Sequence, residues 1–179
     1  MEFLEALDQG TWNWFQAHRK QVWLNDLMVG LGWLSQPAVL TGIALLTVLY
    51  LGSRRRIREA GVFGVSFLLG MVVLQLTYQV VARPRPQVFF DPLEVPRRTP
   101  SFPCDQTLLA TIVFVGLGLL AARVFPNRNP PLILTMTAVL VFLVGASRLY
   151  VGQCYFTDVL AGWMVGTALA LACRVRSRI

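Results

Sequence analysis

The chain is written as long apolar stretches separated by short clusters of arginine, proline and amide side chains. The stretches run over residues 37–52, with a start as early as 27, then 60–81, 107–124, 131–146 and 157–173. A helix crosses the hydrocarbon of a bilayer in roughly 17–25 residues at about 1.5 Å per residue. The pattern therefore predicts an all-α, polytopic membrane helix bundle of about five transmembrane helices. The first and fourth stretches are short, and their ends are the least defined. Ahead of them Phe3, Leu4, Leu7, Trp12, Trp14 and Phe15 are mixed with acids and amides. That mixture predicts a helix lying in the headgroup region, within an interfacial N-terminal segment of residues 1–26, because tryptophan favours the membrane boundary. It lacks the basic start, apolar run and small-residue cleavage site of a secretory signal.

Composition agrees with this environment. With 55% hydrophobic and 14% charged residues and a mean hydropathy of +0.58, the chain is too apolar for an ordinary soluble domain. The charges then orient the bundle. Five spans put Arg54, Arg55, Arg56 and Arg58, then Arg123 and Arg128, then Arg174, Arg176 and Arg178 on one face, which the positive-inside rule assigns to the cytoplasm. The other face receives Glu2, Glu5, Asp8, Asp26, Asp91, Glu94, Asp105 and Asp158, leaving Glu59 inside. The expectation is a multi-pass protein of a bacterial-type inner membrane with a cytoplasmic C-terminus. The net charge of +7 reflects anchoring beside anionic lipid, and no basic patch interleaved with aromatics points to nucleic acid.

The same topology places Arg83 and Arg85 at the outer end of the second span and Pro103 to Gln106 at the outer start of the third. It places Arg148 to Asp158 between the last two. Outer loops of residues 83–106 and 147–158 thus bring distant segments to one membrane face. Charges at a membrane boundary pair or bind something, which predicts a shared outer pocket facing the periplasm or exterior. The alternative is that these arginines only snorkel to lipid headgroups.

Three stretches carry candidate chemistry: Arg83-Pro84-Arg85-Pro86, then Ser101-Phe102-Pro103-Cys104-Asp105-Gln106-Thr107, then Ser147-Arg148 running to Cys154 and Asp158. In order and spacing they resemble the motifs K-x6-RP, PSGH and SR-x5-H-x3-D of the type 2 phosphatidic acid phosphatase family, which also includes the vanadium haloperoxidases. The resemblance extends over residues 24–172. Arg85-Pro86 matches the first motif, whose lysine falls on Tyr78. Pro103 matches the second, whose Ser, Gly and His have become Cys104, Asp105 and Gln106. Ser147, Arg148 and Asp158 match the third, whose histidine has become Cys154. The resemblance implies that Arg85 and Arg148 bind phosphate, for which the rigid donor fork of a guanidinium is suited.

It also implies lost chemistry. In the family the third-motif histidine attacks phosphorus, its aspartate orients the ring, and the PSGH histidine protonates the leaving oxygen. The amide of Gln106 has no usable proton. Losing one general acid typically costs about 10²–10⁴ in rate, and losing the nucleophile as well removes the inherited mechanism. Tyr78 in place of lysine removes a further positive charge. The first reading is a pseudophosphatase that binds a phosphorylated or anionic lipid headgroup without hydrolysing it, as sensor, carrier component or partner subunit. The second is an active lipid phosphatase in which arginines lower the pKa of Cys154, its thiolate attacks phosphorus and Asp105 is the acid. The third is a structural membrane module that assembles with other membrane proteins and has no specific ligand.

The resemblance brings Cys104 and Cys154 to the same phosphate, so they are candidates for a disulfide on an outward face. Such a bond would contribute about 4 kcal/mol in the chain-entropy account; the other reading is two small buried thiols. A disulfide and a Cys154 nucleophile exclude each other. Cys173 is read as packing. Arg97 and Arg98 are either solvated loop residues or an extension of the basic surface. His18, beside Arg19 and Lys20, is read as a surface residue, and neither metal nor cofactor is expected. Gly162 and Gly166 make a small-xxx-small spacing that favours tight packing inside the bundle over a dimer seam. Pro126, Pro130 and Pro131 mark a short inner turn. No repeat or linker divides the chain, so residues 1–179 are taken as a single membrane domain.

Overall fold

A computed structural model describes residues 2–17, 22–86, 99–124 and 129–176. Among the described residues there are seven helices and no strand: α1 (Glu2–Ala17), α2 (Val22–Leu34), α3 (Pro37–Ser53), α4 (Ile57–Val80), α5 (Asp105–Val124), α6 (Pro130–Val151) and α7 (Phe156–Arg176). The helices α4, α5 and α6 are each long and apolar enough to cross a membrane. The segment Trp23–Leu34 and α3 pass the same test as a pair bent by 52°, and α7 adds a shorter apolar helix over Phe156–Ala172. The chain is a multi-pass helical membrane protein.

The bend between α2 and α3 has a local cause. Gln36 is extended (φ −60°, ψ 137°) and Pro37 opens α3. Proline has no N–H to continue the α2 ladder and disfavours helical geometry in the residue before it, but its fixed φ suits a first helical turn. A span that could be read as starting anywhere from 27 to 37 is therefore two helices with a proline between them.

At the centre stands α5, whose first turns from Asp105 to Phe114 are buried on every side. Its Leu108, Leu109, Ile112 and Val113 join Leu40 and Ala44 of α3, Phe63, Phe67 and Leu74 of α4, and Val141 and Val144 of α6 in one apolar cluster. In lipid, close packing rather than escape from water draws such helices together. The backbones of α5 and α7 approach closely: a Cβ at Gly162 would lie 3.2 Å from the Cys104 carbonyl oxygen, and one at Gly166 would lie 2.9 Å from that of Leu108. The small-xxx-small pair thus serves packing within the bundle.

Two boundaries differ from the sequence reading. The region 147–158 is not an outer loop, because α6 continues to Val151 and α7 begins at Phe156, leaving 152–155 as the connection. The apolar run stops at Ala146, but Arg148 finds hydrogen-bond partners inside the protein and the helix has no reason to end there. It ends instead at Gly152, which is left-handed (φ 81°). The Gly152 N–H donates to the Leu149 carbonyl at 3.1 Å and the Gln153 N–H to that of Arg148 at 3.0 Å, the paired bonds of a Schellman ending. At the other end of the chain, α2 already begins within the segment 1–26. The helix α1 exposes Leu4, Leu7 and Trp14 but also docks on α6 and α7, with Phe15 edge-on to Tyr150 at 6.4 Å.

Candidate functional site

The end of the bundle where α4 finishes and α5 begins collects the singled-out polar residues. Arg85 leaves α4 by a short extended stretch and lies along residue 99. Its Nε donates to the Thr99 carbonyl at 2.9 Å and its Nη2 to Thr99 Oγ1 at 3.0 Å. The same Nη2 meets Asp105 Oδ1 at 3.4 Å. Its Nη1 donates to the Gln153 carbonyl at 3.3 Å and contacts Cys154 Sγ at 3.9 Å. All three motif regions therefore meet at this one guanidinium.

Arg148 lies deeper and is 1% exposed. Its Nη1 donates to Gln106 Oε1 and, at 2.8 Å, to Gln153 Oε1, while Nε donates to Ser147 Oγ at 3.3 Å. The wall behind it is Gly32 of α2, where a Cβ would stand 1.9 Å from Arg148 Nη2; no larger residue leaves the guanidinium its place. Gln153 ties the two arginines together, its carbonyl on Arg85 and its side chain on Arg148. It adjoins Cys154 in sequence, but nothing in its residue type marks it as part of the site. Tyr150 on α6 donates to Asn25 Oδ1, fastening α2 beside Arg148.

Cys104 and Cys154 stand at disulfide-bonding distance, with Cα atoms 6.0 Å apart. Both are buried, and Thr107 Oγ1 contacts Cys104 Sγ at 3.3 Å. The Cys104 N–H donates to the Asp158 carbonyl at 3.1 Å, so the start of α5 is held to the first turn of α7. Asp105 and Gln106 then follow as first-turn residues of α5, an acid at a helix N-terminus being favoured by the dipole. Tyr78, on the last turns of α4, is half-buried and packs against the main apolar cluster.

Asp158 is fully buried and turns toward Arg83: Arg83 Nη1 reaches its Oδ1 at 2.8 Å, and the Tyr155 N–H donates to Oδ2 at 3.2 Å. Arg83 also pairs with Asp8 of α1 at 2.6 Å and lies over the Tyr155 ring at 4.2 Å. Burial works against the Arg83 charge, but the hydrogen bond that it donates to Asp8 and the charges of Asp158 and Asp8 outweigh it and hold its pKa above the ordinary value. Sequence reasoning placed Asp8 only among the acids of one face. Its reach into the site depends on how α1 docks, which no motif encodes. His18, Arg97 and Arg98 lie outside the described residues, as does the side chain of Cys173.

The PAP2 superfamily pattern matches residues 59–178. The chain belongs to the PAP2 superfamily. It is 28% identical over 156 residues to phosphatidylglycerophosphatase B of Bacillus subtilis, covering 84% of this chain and 73% of that one. It is 29% identical over 148 residues to the undecaprenyl-diphosphatase of Sulfolobus acidocaldarius, covering 80% and 66% respectively. The fold is similar to that of the transmembrane PAP2-type phosphatidylglycerolphosphate phosphatase of Bacillus subtilis, with TM-score 0.88 at 22% identity over 99% of this chain and 88% of that one. It is also similar to Aquifex aeolicus LpxE, with TM-score 0.72 at 19% identity over 95% and 96%. Gln106 and Cys154, which the motif reading sets at two histidine positions, each contact one of the two motif arginines.

Proposed function

We propose that this chain is a PAP2-superfamily membrane protein that holds a phosphorylated or anionic lipid headgroup without hydrolysing it, as sensor, carrier component or partner subunit. The observation that carries this reading is what Gln106 and Cys154 contact, at the positions that the motif reading gives to two histidines. Gln106 accepts a hydrogen bond from Arg148 through an oxygen, and its amide is no proton source near neutral pH. Cys154 lies at bonding distance from Cys104, and a cysteine in a disulfide has no thiolate to attack phosphorus. The guanidiniums of Arg85 and Arg148 both contact Gln153, and a guanidinium can grip oxyanions by charge-assisted hydrogen bonds. The arginine-rich turn between α3 and α4, at the far end of α4 from this site, supports an outward-facing site in an inner membrane with a cytoplasmic C-terminus.

Lipid retention tests the reading. Protein purified from membranes should carry a phosphorylated lipid that is lost from Arg85→Ala and from the Arg85→Ala, Arg148→Ala double variant. A ligand-free wild type, or equal retention by the variants, would favour a purely structural module. One contact favours an enzymatic second reading, the 3.9 Å approach of Arg85 Nη1 to Cys154 Sγ with Asp105 on the same guanidinium. Phosphate release that appears only in reductant and vanishes in Cys154→Ser would establish it.

A further inference from the structure

The carboxylate of Asp8 sits in a set of donors that would suit any oxyanion. Arg83 Nη2 reaches its Oδ2 at 2.6 Å, Thr157 Oγ1 donates to the same oxygen at 2.7 Å, and the Thr157 N–H donates to Oδ1 at 2.9 Å. Thr157 lies in the first turn of the 21-residue helix α7, where N–H groups have no acceptor within the helix and the dipole favours negative charge. The donors are held from behind. Arg83 Nη1 is fixed by Asp158 Oδ1 at 2.8 Å and by Thr157 Oγ1 at 2.9 Å, and its guanidinium lies over Tyr155. The cradle thus belongs to α7 and to the stretch after α4, whereas the anion filling it is delivered by α1. A narrow crevice between α1 and the site is lined by Trp12, Phe15, Cys154 and Tyr155, and the indole N–H of Trp12 is a buried donor with no acceptor among the described residues. Buried donors are rarely left unmet.

We propose that Arg83 and Thr157 form an oxyanion subsite for a phosphate-bearing ligand, and that Asp8 is its tethered occupant, which leaves the cradle when such a ligand enters. A guanidinium fork, a hydroxyl and a helix-terminal N–H are the donors that a phosphomonoester uses as readily as a carboxylate. A free phosphate and one carried by a lipid share this chemistry. The inference goes beyond headgroup binding at Arg85 and Arg148, since it concerns other residues, and the two fail in different variants. A tethered carboxylate competes at an effective concentration in the millimolar range, so the subsite is masked in the intact chain.

Full-length protein in detergent, titrated with sodium phosphate at fixed ionic strength and followed by thermal unfolding, tests this. Asp8→Ala should respond to phosphate at concentrations about tenfold or more below those needed by wild type, and Asp8→Ala with Arg83→Gln should lose that response. A parallel arm with mixed micelles carrying a phosphomonoester lipid separates the sources: a response to both assigns the site to phosphate as such, and a response to the lipid alone assigns it to a headgroup. Asp8→Asn, which keeps the shape but gives up the charge, should fall between wild type and Asp8→Ala. Equal responses of wild type and Asp8→Ala in both arms, or an undiminished response after Arg83→Gln, overturns the proposal. Failure of both Asp8 variants to fold even in saturating phosphate also overturns it, because a displaceable occupant must be replaceable by its ligand.

Discussion

The two ends of α4 are both rich in arginine and are put together in opposite ways. At its start, Arg54, Arg55 and Arg56 are exposed on a tight turn, and the ion pair there, Arg56 with Glu59 at 3.3 Å, joins neighbours on one helix. At its finish, about 36 Å away for 24 residues of helix, Arg83, Arg85 and Arg148 engage partners brought from α1, α5 and α7 and from the α6–α7 connection. A charge at a membrane boundary is inexpensive while its head stays in water. Once buried it needs partners from distant parts of the chain. The difference separates anchoring arginines from arginines that belong to a site.

Substitutions at the two ends can break this contrast. Arg148→Ala should have the largest effect, lowering stability by about 3–5 kcal/mol, because it empties a fully buried position and strands the Gln106 and Gln153 side-chain oxygens. A drop near that of a surface variant would mean the guanidinium is not a structural centre. Replacing Cys104 and Cys154 by serine, or adding reductant, should cost about 2–4 kcal/mol if the cysteines are joined; insensitivity of the melting temperature to reductant would argue for free thiols. Gly32→Ala pushes a methyl into the Arg148 guanidinium and should cost about 1–3 kcal/mol. Its effect should largely vanish in an Arg148→Ala background, and additivity would contradict the close contact. Arg54→Ala and Arg56→Ala should change stability by no more than about 0.5 kcal/mol.

The helical bundle was legible because the apolar runs are long, and the meeting of the three motif stretches was legible because Arg85, Pro103, Ser147, Arg148 and Asp158 keep a motif's spacing. What the sequence hid has physical reasons. The end of α6 was misplaced because a buried, internally satisfied arginine looks in sequence like one that meets water. Gln153 and Asp8 were missed because an amide and a surface-type acid become site residues only through how distant helices dock. Gly32 was invisible for the same reason: its role is an absence of side chain opposite a guanidinium contributed by α6. The bend at Pro37 is a local effect, and its Gln-Pro sequence marks it, but whether the two halves make one span depends on packing.

The central claim is that a cradle for a phosphorylated headgroup survives where the cleavage chemistry does not. Purified protein incubated with a long-chain phosphomonoester lipid labelled in its phosphate, then separated from free lipid, tests both halves at once. The account predicts label retained on the protein as intact lipid, in oxidising and reducing buffer alike, and lost in Arg85→Ala. Catalytic release of labelled inorganic phosphate would contradict it.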